Sequence, residues 1–374
     1  MKVIDFFKST EKRDFIDCRI TSFRDFLRYY GMKIDSYDVF VLGRAMSTSC
    51  YDFKISRLPF NMMLFSGTTF KFENNLFKNL GIRYEKKYFD DDIRETIRKH
   101  IEDDIPILFE LDIRYMKNQE MGNKKLDIHC VSDSLICGYD YSDGKDVVYI
   151  SLKDENNSDL TEVSVETLIK AISSQTFPVE LKKAYYEIDT TSIDVDIAES
   201  YNVFIKECLW QYFDTMLMGE KYILETNNVN KILRSGNSVI ETVRKNNKGV
   251  VDYLTNNKNG CEVNKRLAAM YFMALRDMLT PGSDYCYRLE FAEVLRVLSR
   301  KLGLKELADE SGRFEKLSKM WRNLTRTLYQ CTKIKSENDI RIFGEKIEKQ
   351  LIDINEFERN EFVKLKFIID NYKC

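Results

Sequence analysis

Near residue 190 of this 374-residue chain the hydrophobic periodicity changes, and that change limits what the chain can fold into. Before it, short apolar runs lie between turn residues, as strands do. After it, apolar residues recur at three- and four-residue spacing, as on helices. The runs 105–112, 128–138 and 147–154 predict strands, with a turn at 139–144 and a bend at Ser132-Asp133. Pro106 stands at the start of the first run, where a missing N–H does least harm. Residues 184–188 predict one more strand, 61–69 a loop or short strand, and 38–44 an apolar segment ending at Gly43. Helical spacing marks 70–80, 92–102 and 163–173, with Ile93, Ile97 and Ile101 on one face of the second. Beyond residue 195 it covers 197–210, 229–244, 265–279, 288–302, 313–329 and 338–372, with short loops around Asn246 and Asn256. The expectation is an α+β domain over residues 1–190 followed by an all-helical domain over 191–374.

Composition narrows the partners. Lysine plus arginine (58) nearly balance aspartate plus glutamate (60), so no strong field favours nucleic acid or a membrane surface. No apolar run is long enough to span a bilayer, and the start, Met-Lys-Val-Ile-Asp-Phe-Phe-Lys, does not read as a signal peptide. Nine cysteines without pairwise spacing read as reduced thiols of a soluble cytoplasmic protein. No Gly-x-x-x-x-Gly-Lys-Ser/Thr segment is present to cradle a nucleotide. His129, Cys130 and Cys137 lack the Cys-x-x-Cys pair of a zinc site, so no metal is expected.

One stretch carries chemistry. Behind Asp17-Cys18-Arg19, the residues Phe23, Phe26, Leu27 and Tyr30 form one apolar helical face, and Gly31 stops it. Cys18 then sits in the first turn, where unpaired N–H groups and the helix dipole favour thiolate. A thiolate nucleophile needs an imidazole, and the chain has two. His100 lies on the polar side of its helix and is expected to face solvent, whereas His129 opens a strand. A Cys18–His129 pair would perform acyl transfer; the other reading is a buried thiol and an unrelated histidine. Asp154 ends the apolar face of Val148, Ile150 and Leu152, and either orients His129 or is a solvated turn residue. Asp112, with Tyr115 nearby, is either a carboxylate for an ammonium group or a loop cap. Trp210 and Trp321 read as helix-packing residues.

Taken together, Asp17-Cys18 with Gly31, the run Ile105 to Asp112 with Tyr115, Ile128-His129-Cys130-Val131 with Gly138-Tyr139-Asp140, and 163–171 resemble the butirosin-biosynthesis-type acyltransferase family. That family is similar in fold to papain-like and bacteriocin-leader cysteine peptidases. The resemblance implies a papain-like domain and Cys–His transfer from a carrier-protein thioester to an amine or diamine. It implies no cofactor on this chain, the phosphopantetheine belonging to the acyl or peptidyl carrier protein. The chain departs from the family at Leu42-Gly43-Arg44-Ala45-Met46-Ser47, which is not glycine-rich, and at Asp154, which stands further along its strand. No glutamine lies in 11–17, so an oxyanion would rest on the Cys18 N–H and a second donor. Two alternatives stay open: a hydrolytic cysteine peptidase or amidase, and a non-catalytic helical interaction protein.

Overall fold

The computed structural model describes residues 1–9, 18–53, 59–69, 71–116, 131–142, 144–151, 160–174, 181–193, 201–226, 229–256, 261–279 and 286–372. β1 (Lys2–Val3) precedes α1 (Cys18–Tyr29), α2 (Ser36–Leu42), β2 (Met46–Phe53) and β3 (Met62–Thr68). Next come α3 (Phe72–Asn79), β4 (Tyr84–Tyr88), α4 (Ile93–Glu102) and β5 (Ile107–Asp112). Then follow β6 (Val131–Asp140), β7 (Val147–Ile150), β8 (Thr161–Ser164), α5 (Val165–Ile172) and β9 (Ala184–Ile188). α6 (Tyr201–Met218) leads into β10 (Glu220–Thr226) and β11 (Val229–Ser235). The remaining helices are α7 (Ser238–Asn256), α8 (Cys261–Leu279), α9 (Arg288–Leu302), α10 (Lys305–Gln330) and α11 (Glu337–Asn371).

The helix ends obey local chemistry. Gly31 takes a φ of 89°, and the Met32 N–H reaches back to the Leu27 carbonyl at 3.2 Å, so the orphan carbonyls of α1 are satisfied where a side chain would be strained. Asp92 caps α4 by accepting from the Glu95 N–H, and Ile93, Ile97 and Ile101 are buried as their spacing predicts. Residues 38–42 of the expected apolar segment belong to the helix α2, which Gly43 ends. Asp35 and Asp38 form a reciprocal cap, and Val39, Phe40, Val41 and Leu42 are all buried. A helix buried all round has no polar face to reveal its period.

The chain divides into two compact units, Met1–Gly43 with Glu73–Glu199, and Arg44–Phe72 with Ser200–Cys374. The expected 1–190 and 191–374 division differs from these units in residues 44–72 and 191–199. The first unit holds a sheet of order β4-β9-β5-β6-β7-β8, with β1 pairing with β6. β1 reaches β6 at Gly138, where a Cβ would lie 2.6 Å from the Lys2 carbonyl oxygen. Successive residues of a strand face opposite ways, and β9 shows what each face carries. Tyr186 meets Phe77 of α3 at 6.3 Å between ring centroids, and Phe77 meets Phe23 of α1 at 5.7 Å. Tyr185 faces the other way and meets His100 of α4 at 5.7 Å. The sheet therefore has helices on both faces, a mixed α and β architecture.

The second unit is mainly helical, but it is not all-helical. β10 and β11 form a hairpin that continues into a sheet of order β10-β11-β2-β3. The expected helix over 229–244 is thus a strand to Ser235 and a helix from Ser238. Val229, Ile232 and Leu233 fall at helical spacing, which a seven-residue strand can match by chance. Asn246 lies inside α7, where it accepts a 3.0 Å hydrogen bond from the Tyr271 hydroxyl, and not in a loop.

At the centre of the second unit Arg288 and Glu358 are both fully buried and paired at 2.6 Å. A guanidinium has five N–H donors, and here all have acceptors. Two go to Glu358, two to the carbonyls of Ser47 and Cys286, and one to the Thr48 hydroxyl. The Trp321 indole donates to Glu358 at 3.4 Å, and its ring lies 5.3 Å from the guanidinium carbon. Around this node Phe291, Phe314 and Phe362 pack with centroids 4.7 and 5.4 Å apart along the row. Removing one partner strands a buried charge, a loss of about 3–5 kcal/mol. We expect Glu358→Ala to destabilise the chain by that amount in denaturant unfolding, and Glu358→Leu combined with Arg288→Met to cost markedly less than the single change. Equal costs would show that packing, not charge, dominates this site.

Candidate active site

Cys18 is the first residue of α1, so its backbone stands where the helix leaves N–H groups unsatisfied. The placement of its side chain is outside what the structure describes. Opening a helix does not by itself distinguish it, because Cys261 opens α8 in the same way. What sets Cys18 apart is the sheet beside it. α1 packs on β6 and β5, and β6 starts at Val131, two positions after His129. His129 and Asp154 lie outside the described residues.

The cysteines whose side chains are described are not nucleophile candidates. Cys50, Cys137, Cys208, Cys286 and Cys331 are buried free thiols. Burial pushes the thiols of Cys208, Cys286 and Cys331 up to about 12, far from thiolate at neutral pH.

Asp112 and Tyr115 occupy the end of β5. Asp112 is fully buried and caps the short 3-10 turn Ile113–Tyr115. Its carboxylate accepts from the Arg114 backbone N–H at 3.1 Å, from the Arg114 guanidinium at 2.6 Å and from the Ser174 hydroxyl at 2.9 Å. An incoming ammonium would have to displace partners already in place, so the capping reading accounts for its contacts. Tyr115 is 42% exposed. His100 does not simply face solvent. It is 14% exposed and bridges α4 to β9, with Nε2 3.3 Å from Glu187 and Nδ1 2.8 Å from the Thr96 carbonyl. Trp321 packs as expected, whereas Trp210 is 39% exposed.

The residues that inspection of the sequence missed form a charged row under α1. Glu110 and Asp133 are direct partners across β5 and β6, and Lys86 and Tyr186 are direct partners across β4 and β9. The Tyr186 hydroxyl donates to Glu110 at 2.5 Å, and the Lys86 ammonium pairs with the same carboxylate. From above, Arg19 of α1 approaches Glu73 of α3 at 3.8 Å. Asp133 is 3% exposed, and its Oδ1 has no hydrogen-bond partner among the described residues. Burial raises the Asp133 carboxyl well above the usual carboxylate range, and Glu73 and Glu110 raise it further, against a smaller pull from Arg19 and Lys86. Burial likewise raises Glu73, opposed first by Arg19. A signal existed in the sequence for Glu110, which interrupts the apolar run 105–111, an acidic residue inside a buried run being rare unless something compensates it; Asp133 stands between two serines and gave none.

A carboxyl whose folded pKa lies above its unfolded value binds its proton more tightly in the native state. Its contribution is therefore intact below about pH 4 and is lost as pH rises through the folded value. We expect Asp133→Asn to raise the melting temperature at pH 7–8, by about 2–4 °C per kcal/mol gained, and the gain to vanish near pH 4. Thermal unfolding of both proteins across that range checks it; a gain independent of pH would mean that the carboxylate's charge is not what destabilises the site.

Residues 17–152 match the family model of butirosin biosynthesis protein H, N-terminal. The match covers less than half of the chain. It includes Cys18, Asp112, Tyr115 and His129 and ends two residues before Asp154. No curated protein matches the chain. The match supports a relationship of this amino-terminal stretch to butirosin biosynthesis protein H.

Proposed function

We propose that the protein is a cysteine-dependent acyltransferase of antibiotic-type secondary metabolism that forms an amide. An acyl group would pass from a carrier-protein thioester through acyl-Cys18 to an amine, in an assembly of the kind that closthioamide synthase, which the chain resembles, carries out. The observation that carries this reading is the start of α1 at Cys18, on a helix packed against the strand that follows His129, within the matched residues. Helix-start N–H groups favour thiolate and offer a donor for the oxyanion.

In this reading the Cys18 thiolate attacks the donor carbonyl, a new thioester bond forms, and the carrier's pantetheine sulfur leaves with a proton from the His129 imidazolium. One thioester replaces another, so this step is nearly balanced and depends mainly on positioning. The amine then attacks acyl-Cys18, His129 takes the amine's proton, and the cysteine sulfur leaves. The greater stability of the amide drives the second step. Asp154, beyond the matched stretch, would orient His129.

Intact-mass measurement tests it. Wild-type protein mixed with acyl-loaded carrier protein should gain the acyl mass, and Cys18→Ala should gain none and make no amide. His129→Ala should slow both steps by about 100-fold or more. Turnover by Cys18→Ala at a comparable rate would replace the covalent route with direct attack on the carrier thioester. In parallel, a thiol-reactive probe at neutral pH should modify Cys18 well before the five buried thiols; labelling at one slow, common rate would count against an activated nucleophile.

A further inference from the structure

The helix α10 changes character at Lys316. Before it, acids and bases are mixed along the helix, and Glu315 pairs with Arg296 of α9. From 316 to 336 the chain has six cations, Lys316, Lys319, Arg322, Arg326, Lys333 and Lys335, and no acid, although acids outnumber bases over the whole sequence. Helical spacing sorts the two faces. Leu317, Trp321, Leu324 and Leu328 are buried. Lys319, Asn323, Arg326 and Gln330 recur at four- and three-residue steps and form the opposite, exposed face, about 16 Å long.

Other surface cations of this unit are answered within it. Arg244 pairs with Glu241 and Glu348, Arg296 with Glu293 and Glu315, and Lys364 with Glu361. Along the α10 stripe, Lys319, Arg326 and Lys333 pair with no carboxylate among the described residues, and Lys316 rests over the Phe357 ring of α11 at 4.8 Å. Near the end of the stripe Tyr329 is 57% exposed, and the Arg276 guanidinium of α8 lies 5.7 Å from its ring centre. A row of cations that the fold leaves unneutralised keeps a positive potential, which a partner of opposite charge can answer.

We propose that this face of α10 docks a protein partner, through a carboxylate-bearing helix laid along it. The proposal stands on the second unit alone and does not use the acyl-Cys18 reading. A nucleic-acid duplex is the poorer fit. α8, α9 and α11 all pack against α10, so it is one member of a helical layer and not a free-standing helix that could enter a major groove. A bilayer fits poorly too, because it asks for an apolar stripe. Between Lys316 and Gln330 the one exposed large apolar side chain among the described residues is Tyr329. A protein helix meets each feature. Carboxylates seven residues apart would face Lys319 and Arg326, and the amides of Asn323 and Gln330 between them can donate or accept. Tyr329 and Arg276 are residue types that anchor protein interfaces, and they offer a seat for one apolar side chain of the partner.

Binding of labelled probes to the full chain, read by fluorescence anisotropy, tests this. The probe is an alanine-rich helical peptide with glutamates at the spacing of Lys316, Lys319 and Arg326 and a leucine three residues beyond, made in both sequence directions. A scrambled peptide of the same composition, duplex DNA and phosphatidylserine vesicles are the comparisons. One patterned peptide should bind about fivefold or more tighter than its scrambled form, and should weaken between about 50 and about 200 mM salt. Lys319→Glu with Arg326→Glu should abolish that preference. Lys248→Glu with Lys349→Glu, the same charge change at exposed positions of α7 and α11, should keep it. Tyr329→Ala changes no charge and should lower affinity about tenfold. All these positions are exposed, so each variant should melt as the wild type does. Equal binding of patterned and scrambled peptides would overturn the proposal, as would wild-type affinity in the Lys319/Arg326 reversal or in Tyr329→Ala. Tighter binding of the duplex or of the vesicles than of either patterned peptide would overturn it as well.

Discussion

The second unit depends on one buried guanidinium. Desolvating Arg288 and Glu358 is expensive, and their attraction offsets that only when every remaining donor is answered. Five acceptors must therefore meet at one point, from α11, from the residue before α9's entry turn, and from β2. This requirement explains why residues 44–72 belong with the carboxyl-terminal helices. The Ser47 carbonyl and Thr48 hydroxyl are ligands of Arg288, and the Met46 carbonyl accepts from Tyr212 of α6. β2 then pairs with β11 and β3, and the sheet closes around the node.

The first unit answers a different constraint. A sheet with helices on both faces is covered over much of its area, and the polar residues that lie under the helices need partners within the protein. On the α4 face the partners are matched: Glu187 takes Lys87 and His100. On the α1 face the matching is incomplete, because the carboxylates outnumber the cations and Asp133 retains an idle oxygen. The deficit lies on the face of the sheet against which α1 packs.

Amphipathic helices were legible without tertiary information. α4 alternates Ile93, Ile97 and Ile101 with charge, and α9 spans 288–302 as its spacing predicts, because one apolar stripe per helix is a local property. The strands β5 and β9 and the start of α1 could be read for the same reason. β11 could not, since Val229, Ile232 and Leu233 fall at helical spacing and only pairing with β10 and β2 makes the segment a strand. His100 looked solvent-facing because its partner, Glu187, is 87 residues away.

By itself the sequence determined the nucleophile candidate, the helix that presents it, the mixed first unit and the mainly helical second one. These follow from side-chain order within a few residues, where helix and strand periods act. Tertiary structure alone decided that residues 44–72 group with the carboxyl-terminal helices, that Asp112 is a cap held by Arg114 and Ser174, and that one buried oxygen of Asp133 has no donor among the described residues. Each of those outcomes depends on which charges and hydrogen-bond donors meet across long stretches of chain. Burial magnifies such meetings, because a polar group removed from water keeps only the partners that folding brings to it.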